Sequence, residues 1–198
     1  QRIGLHWQNY ADAFHKMAFW QNLRNTLFIC VTVVLGTLVS CSLVAYSFAR
    51  IPWPGRDTVF ILVLATMMLP YQVTLIPLFA MYRELGWVGT FKPLIIPAFF
   101  GTPFYIFLLR QFFLTIPREM EDAASIDGAN PVQTYFYIML PLVKPAFLAI
   151  GVLSFQANWN NFESPLIYLN TTQLFPLVLA IRFFQQSLSK EAPKWHYM

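Results

Sequence analysis

The chain has 198 residues, of which 57% are hydrophobic and only 11% charged, with 20 phenylalanines and a formal net charge of +4. A soluble domain carries about 25% charged residues, so this composition excludes an ordinary soluble fold and points to lipid. The basic residues are scattered singly, which reads as membrane-flanking Lys and Arg and argues against a nucleic-acid patch.

Gln1 to Trp20 carry no apolar h-region of the kind a signal peptide needs. Trp7, Tyr10, Phe14, Phe19 and Trp20 suit a segment lying at the membrane interface. The chain opens without Met and reads as a piece of a longer protein. Leu27 to Ala49 is uncharged and bounded by Arg24 and Arg50. That length spans roughly 30 Å of hydrocarbon, with Asn25 or Thr26 expected to cap its start. Small residues at Gly36 and Ser40, and at Cys41, Ala45 and Ala49, predict a seam where another helix approaches closely. Cys30 and Cys41 on one helix stand about 16 Å apart along its axis, beyond the roughly 7 Å that a disulfide allows. They read as small packing residues, and no zinc or redox spacing is present.

Ile51-Pro-Trp-Pro-Gly55 is a tight connector edged by Arg50 and Arg56. The second uncharged span, residues 58–82, contains Pro70 and Pro77. Each removes a backbone hydrogen bond, which predicts a doubly bent helix, either static or moving and lining a cavity. Arg83 to Lys92 is a short polar connector. The third span, residues 93–113, is broken by Pro97, Gly101 and Pro103. The fourth, residues 135–158, has Lys144 and Pro145 near its start, the lysine placed to snorkel outward. Leu174 to Ile181 is apolar but too short to cross, and Glu191 to Met198 stops without a closing helix. The expected fold is all-α: a polytopic transmembrane helix bundle with spans near 26–49, 58–82, 93–113 and 135–158. Arg50 and Arg56 are matched by Arg83 and Lys92 across the membrane, so the loop charges do not decide its orientation.

Between the third and fourth spans, about residues 115–133, lies a polar island. Glu119, Glu121, Asp122 and Asp127 cannot sit in lipid, so it must face water. Pro117 suits a first helical position, and the carboxylates suit the positive end of the helix dipole. Asp127-Gly128 reads as a helix stop with glycine in a left-handed conformation. Asn130, Pro131 and Gln133 read as the cap, first residue and capping-box partner of a second helix. Met120, Ala123, Ala124 and Asp127 share one face of the first helix by their spacing. The two alanines make it flat, and the acidic flanks suit a groove with basic residues on a soluble partner rather than anionic headgroups.

Asp122-Ala123-Ala124, Gly128, Ile138 and Leu140-Pro141 resemble, in identity and spacing, the EAA loop of bacterial ABC importer permeases. The first position departs, carrying Asp122 where the family has Glu, with Glu121 just before it. Ala45-Tyr46-Ser-Phe48-Ala49-Arg50, Met68-Leu-Pro70, Ile116-Pro117-Arg-Glu119 and Trp159-Asn160-Asn-Phe162-Glu-Ser-Pro165-Leu166 are similar to the carbohydrate-uptake branch, specifically its maltose-type second permease subunit. The resemblance implies a type I importer permease fold in the bacterial inner membrane, with this chain starting after the first and ending before the last of six helices. It also implies that Arg50, Arg56 and the island lie on the cytoplasmic side. Glu121, Asp122, Ala123, Ala124, Asp127, Gly128 and Ala129 would then form a cytoplasmic coupling helix and turn against an ABC ATPase dimer. A looser salt bridge to the ATPase from Asp122, or one supplied by Glu121, is expected. The implied partners are a second permease subunit, that ATPase dimer, an extracytoplasmic solute-binding protein and membrane lipid. ATP and Mg are bound by the ATPase, and this chain needs no cofactor or catalytic residue of its own.

Asn158, Trp159, Asn160 and Asn161 form a polar-aromatic cluster at a helix end, able to bond and stack on a sugar, although Trp there equally anchors a helix at the interface. Gln72 and Thr74, between the bending prolines, are further candidates for the path, and Glu163 reads as a solvated boundary charge. An ion-gradient transporter is disfavoured because the spans hold almost no ionisable group besides Lys144. An integral-membrane enzyme is disfavoured because His6, His15 and His196 are isolated. An importer permease for another solute remains the alternative.

Overall fold

The computed structural model describes residues 17–190. The expectations for the first sixteen residues, for the terminal histidines and for the last eight residues lie outside the described residues. The described residues form helices and turns, with no strand among them.

Helix α1, Phe19–Arg50, has 32 residues, about 48 Å at 1.5 Å per residue. It starts well before Leu27, so Asn25 and Thr26 do not cap it. They lie inside the helix and bond the chain's far end, as described below. Helix α2 (Arg56–Ala65) runs on into a 3₁₀ turn, Thr66–Met68, and helix α3 follows at Tyr71–Glu84. Helix α4 (Lys92–Ile95) continues as a 3₁₀ turn, Ile96–Phe100, and α5 spans Pro103–Thr115. The island supplies α6 (Glu119–Ile126) and α7 (Pro131–Thr134). A π turn, Tyr135–Met139, leads through α8 (Leu140–Leu142) to α9 (Lys144–Trp159). Helix α10 (Glu163–Tyr168), a 3₁₀ turn (Thr172–Leu174) and α11 (Leu177–Lys190) complete the described chain.

Phe19–Arg50 and Lys92–Thr115 are each long and apolar enough to cross a membrane. The other two predicted spans exist only as bent pairs. Arg56–Met68 meets Tyr71–Glu84 at 97°, and Pro131–Leu142 meets Lys144–Trp159 at 74°. The doubly bent helix predicted over 58–82 is therefore corrected to two helices with one break. Leu69, forced out of the helical region by the proline after it, is extended at ψ 118°, and Pro70 at ψ 138°. Pro77 lies inside α3 without ending it. In the fourth span Pro141 offers no N–H to the turn before it, and that turn is wound as π. The bend follows at Val143, with φ −93° and ψ 10°.

The core forms around α1, which packs against α5, α9 and the 96–100 turn. Cys41, Ala45 and Ala49 are buried with Leu109, Phe113 and Ile150. Between membrane helices such small residues permit backbones to come close enough for dense van der Waals contact. The second predicted seam faces the broken third span. Gly36 sits under the Phe99 ring, Ser40 Oγ donates to Ala98 O at 2.8 Å, and the Thr102 N–H donates to Cys41 Sγ at 3.2 Å. Cys30 and Cys41 are both free thiols. On the opposite side Leu27, Val31, Leu35, Val39 and Leu43 make an exposed apolar stripe at four-residue spacing, suited to lipid or to another apolar helix.

Candidate functional site

The island is built from two local devices. Helix α6 begins after Arg118, with Glu119, Glu121 and Asp122 in its first turn. Pro117 stands ahead of Arg118 instead of opening the helix, its carbonyl accepting from Met120 N at 3.4 Å. The helix ends in a Schellman turn: Gly128 N donates to Ser125 O at 3.1 Å and Ala129 N to Ala124 O at 2.9 Å. Gly128 takes φ +82°, the left-handed value that a side chain disfavours. Asn130 then caps α7, with reciprocal 2.9 Å bonds between Asn130 and Gln133 forming a full capping box.

The expected flat face of Met120, Ala123, Ala124 and Asp127 does not form as one surface. Ala124 is buried against the bundle, whereas Ala123 and Asp127 are exposed. What the knob presents outward includes Asp122 and the apolar side chains of Ile126 (86% exposed) and Val132 (63%). The sequence reading missed these two. Exposed large apolar side chains on an otherwise polar island were the available signal.

Glu121 is turned inward. Its Oε2 lies 3.2 Å from Arg50 Nη1, in an ion pair whose arginine side chain is only 4% exposed. Tyr46, one turn earlier on α1, donates to Glu121 Oε1 at 3.4 Å. The other terminal nitrogen of Arg50 donates to the carbonyls of Phe113 and Ile116 at the end of α5. The Tyr46 ring packs on Phe113 and on Tyr135, whose hydroxyl is 2.7 Å from Ser42 Oγ. Arg110 closes the same end, with its guanidinium 4.3 Å from the Phe60 ring centroid and 3.9 Å from Asp57. The island and Arg50–Arg56 thus occupy one end of the bundle, a relation the loop charges did not decide.

At the opposite end, Gln21 and Asn25 donate to Gln173 O, and Asn25 also to Phe175 O. The path candidates are dispersed. Gln72 is exposed on α3, and Thr74 Oγ1 donates to Tyr71 O in its own helix. The side-chain amides of Asn158 and Asn160 donate to Ser154 O and Gln156 O, capping the end of α9. Trp159 stacks on Phe155 at 5.5 Å. Asn161 bonds both the hydroxyl and the N–H of Ser164. No hydrogen bond joins Gln72 or Thr74 to the asparagine cluster. Glu163 is exposed. Tyr168, outside the apolar spans, lies between Phe79 and Tyr82. Burial, then the neighbouring Tyr71 phenol, pushes its own phenol up to about 12, so it stays neutral. Among the described residues, no group of three His, Cys, Asp or Glu side chains converges as a metal site.

Residues 33–189 match the family described as "Binding-protein-dependent transport system inner membrane component". The chain belongs to this family. It is 35% identical to the arabinooligosaccharides transport system permease protein AraQ of Halalkalibacterium halodurans, over 82% of this chain and 58% of the relative. It is 32% identical to the lactose transport system permease protein LacG of Rhizobium radiobacter, over 92% of this chain and 65% of the relative. The sn-glycerol-3-phosphate transport system permease protein UgpE of Rhizobium meliloti is 31% identical, over 89% and 62%. The chain therefore spans about three-fifths of the length of the curated relatives it matches. The crystal structure of a bacterial ABC transporter involved in import of the acidic polysaccharide alginate superposes with a TM-score of 0.81, at 26% identity over 96% of this chain and 70% of that one. This family member is a multi-pass inner-membrane protein with the ABC importer permease fold.

Proposed function

We propose that the chain is the membrane-spanning core of a permease subunit in a binding-protein-dependent ABC importer for a sugar or oligosaccharide. The relatives named for arabinooligosaccharides and lactose support that solute class. The relative named for sn-glycerol 3-phosphate keeps a phosphorylated polyol as the second reading. A second permease subunit completes the path, two ATPase subunits bind ATP and Mg beneath it, and a solute-binding protein delivers from outside. The chain itself carries out no covalent chemistry.

The observation that carries the coupling role is the knob at 119–134. It is a helix, a Schellman turn and a capped second helix, held at one end of the bundle. Asp122, Ile126 and Val132 point away from the rest of the chain. A rigid protrusion with an apolar tip and an acidic flank fits a groove on a soluble subunit. Nucleotide-driven closure of that subunit would shift the permease between two arrangements through differential contacts with the knob. Glu121, held by Arg50, is the inward side of this element, which leaves Asp122 among the exposed carboxylates, with Glu119 and Asp127, to face the ATPase. The candidate path residues Gln72, Thr74, Asn158, Trp159 and Asn160 have a weaker claim, because several of their polar atoms already cap their own helices.

The test is site-specific crosslinking from Ile126→Cys in the full-length permease, assembled with its ABC ATPase, together with ATP-driven uptake of labelled oligosaccharide into proteoliposomes. The ATPase is the expected crosslinked species. Failure to capture it in an assembly active for uptake would overturn the proposal.

A further inference from the structure

We infer that Arg50 is a positioning residue that binds the coupling helix α6 to α1 and to the end of α5, so that the three elements move as one body. This rests on the coupling role proposed above for α6.

Arg50 is the last residue of α1 and its side chain is 4% exposed. A flanking arginine at a membrane helix end ordinarily reaches out to water or headgroups. This one reaches inward. It engages acceptors from two other elements: the carbonyls of Phe113 and Ile116, and the carboxylate of Glu121. Both carboxylate oxygens of Glu121 are met by α1, one by Arg50 and the other by Tyr46.

The faces of α6 are divided accordingly. Glu121 and Ala124, three residues apart and therefore on one side, are directed into the bundle. Asp122 and Ile126 are directed out. A push on the outward face thus arrives at a carboxylate already bonded to the longest helix among the described residues.

Sliding of α6 across the bundle would have to break this contact. The guanidinium would then be left buried with fewer acceptors, and its Nε has none even now. Removing one partner of a buried pair is strongly unfavourable, whereas moving both together costs nothing of that kind. The arrangement therefore favours joint motion of α6, α1 and the end of α5 over independent motion of α6.

The experiment uses the full-length permease assembled with its ATPase in lipid nanodiscs. Spin labels are placed at Ile51 and Ser125, both exposed, and the distance is read nucleotide-free and after trapping with ATP and vanadate. The expected result is one unchanged distance distribution in both states. In Glu121→Gln the distribution should broaden and shift between states, and the ATP hydrolysed per solute imported should rise several-fold while the ATPase still co-purifies. A distance that changes on trapping in the unsubstituted protein overturns the inference, and so does wild-type stoichiometry in Glu121→Gln. The labelled reference carries only Ile51→Cys and Ser125→Cys, at exposed positions, and keeps Arg50 and Glu121 intact. Absence of the ATPase from active assemblies would instead sink the coupling reading itself, and this inference with it.

Discussion

Thr26 Oγ1 accepts a hydrogen bond from the Leu177 N–H at 2.8 Å, joining the third turn of α1 to the start of α11 across 151 positions of chain. The same hydroxyl donates to Asn22 O at 2.9 Å, so both its functions are used in a buried setting. Replacing Thr26 by Val keeps the shape and strands the Leu177 N–H. A buried donor left unmade costs about 1–3 kcal/mol. Thermal unfolding of the detergent-solubilised full-length permease should show that loss, with faster amide exchange at Leu177. Thr26→Ser should restore both.

That contact also explains what the sequence left hidden. Asn25 and Thr26 read as residues capping a span, because polar side chains at a helix start ordinarily face water. They are buried inside α1 because the 173–177 segment supplies their partners, and that partnership is not local in sequence. The same holds for Arg50, which looks like any flanking arginine until Phe113, Ile116 and Glu121 are brought round it. Features set within a few residues were legible: the left-handed Gly128, the Asn130–Gln133 box and the uncharged stretches. The 97° break at Pro70 was only half legible. A proline announces a lost hydrogen bond, but neighbouring helices decide whether the chain bends at it, as at Pro70, or runs through it, as at Pro77. The inward turn of Ala124 depends on how α6 is rolled onto α1, which spacing alone leaves free.

The Arg50–Glu121 pair makes a prediction about stability that is separate from coupling. Glu121→Met leaves the guanidinium buried without its counter-charge. The loss should be about 3 kcal/mol, the lower end of what breaking a buried pair costs, because Glu121 itself is 20% exposed. Adding Arg50→Met to the same chain should recover part of that loss, since no buried charge then remains. Recovery stays incomplete because the carbonyls of Phe113 and Ile116 lose their donor. Denaturation midpoints of the two variants, measured side by side, check the order.

Gly128 separates backbone conformation from packing. A Cβ added there meets nothing within 4 Å, but φ is +82°. Gly128→Ala should therefore cost only the left-handed strain, about 1–2 kcal/mol, and leave much of the ATP-driven uptake. Gly128→Pro fixes φ near −65° and removes the N–H that bonds Ser125 O, so the Schellman turn cannot form. Uptake into proteoliposomes should fall to background while membrane insertion persists. Full-rate uptake by the proline variant would deny the turn any part in transmission.

Gly36 poses the opposite problem, space without backbone strain. An ideal Cβ there would stand 2.7 Å from the nearest atom of the Phe99 ring, closer than any real contact. Phe99 is half exposed, so its ring can swing outward and make room for one methyl. Gly36→Ala should be mild, within about 1 kcal/mol. A β-branched side chain cannot be accommodated by the ring alone. Gly36→Ile has to push the 96–100 turn off α1, stretching the Ser40–Ala98 hydrogen bond with it. Overpacking of this kind costs about 1–3 kcal/mol. Removing the obstructing ring in the same chain, as Gly36→Ile with Phe99→Ala, should return the unfolding midpoint toward that of Phe99→Ala alone. If the double variant is no more stable than Gly36→Ile, the ring is not what holds this position to glycine.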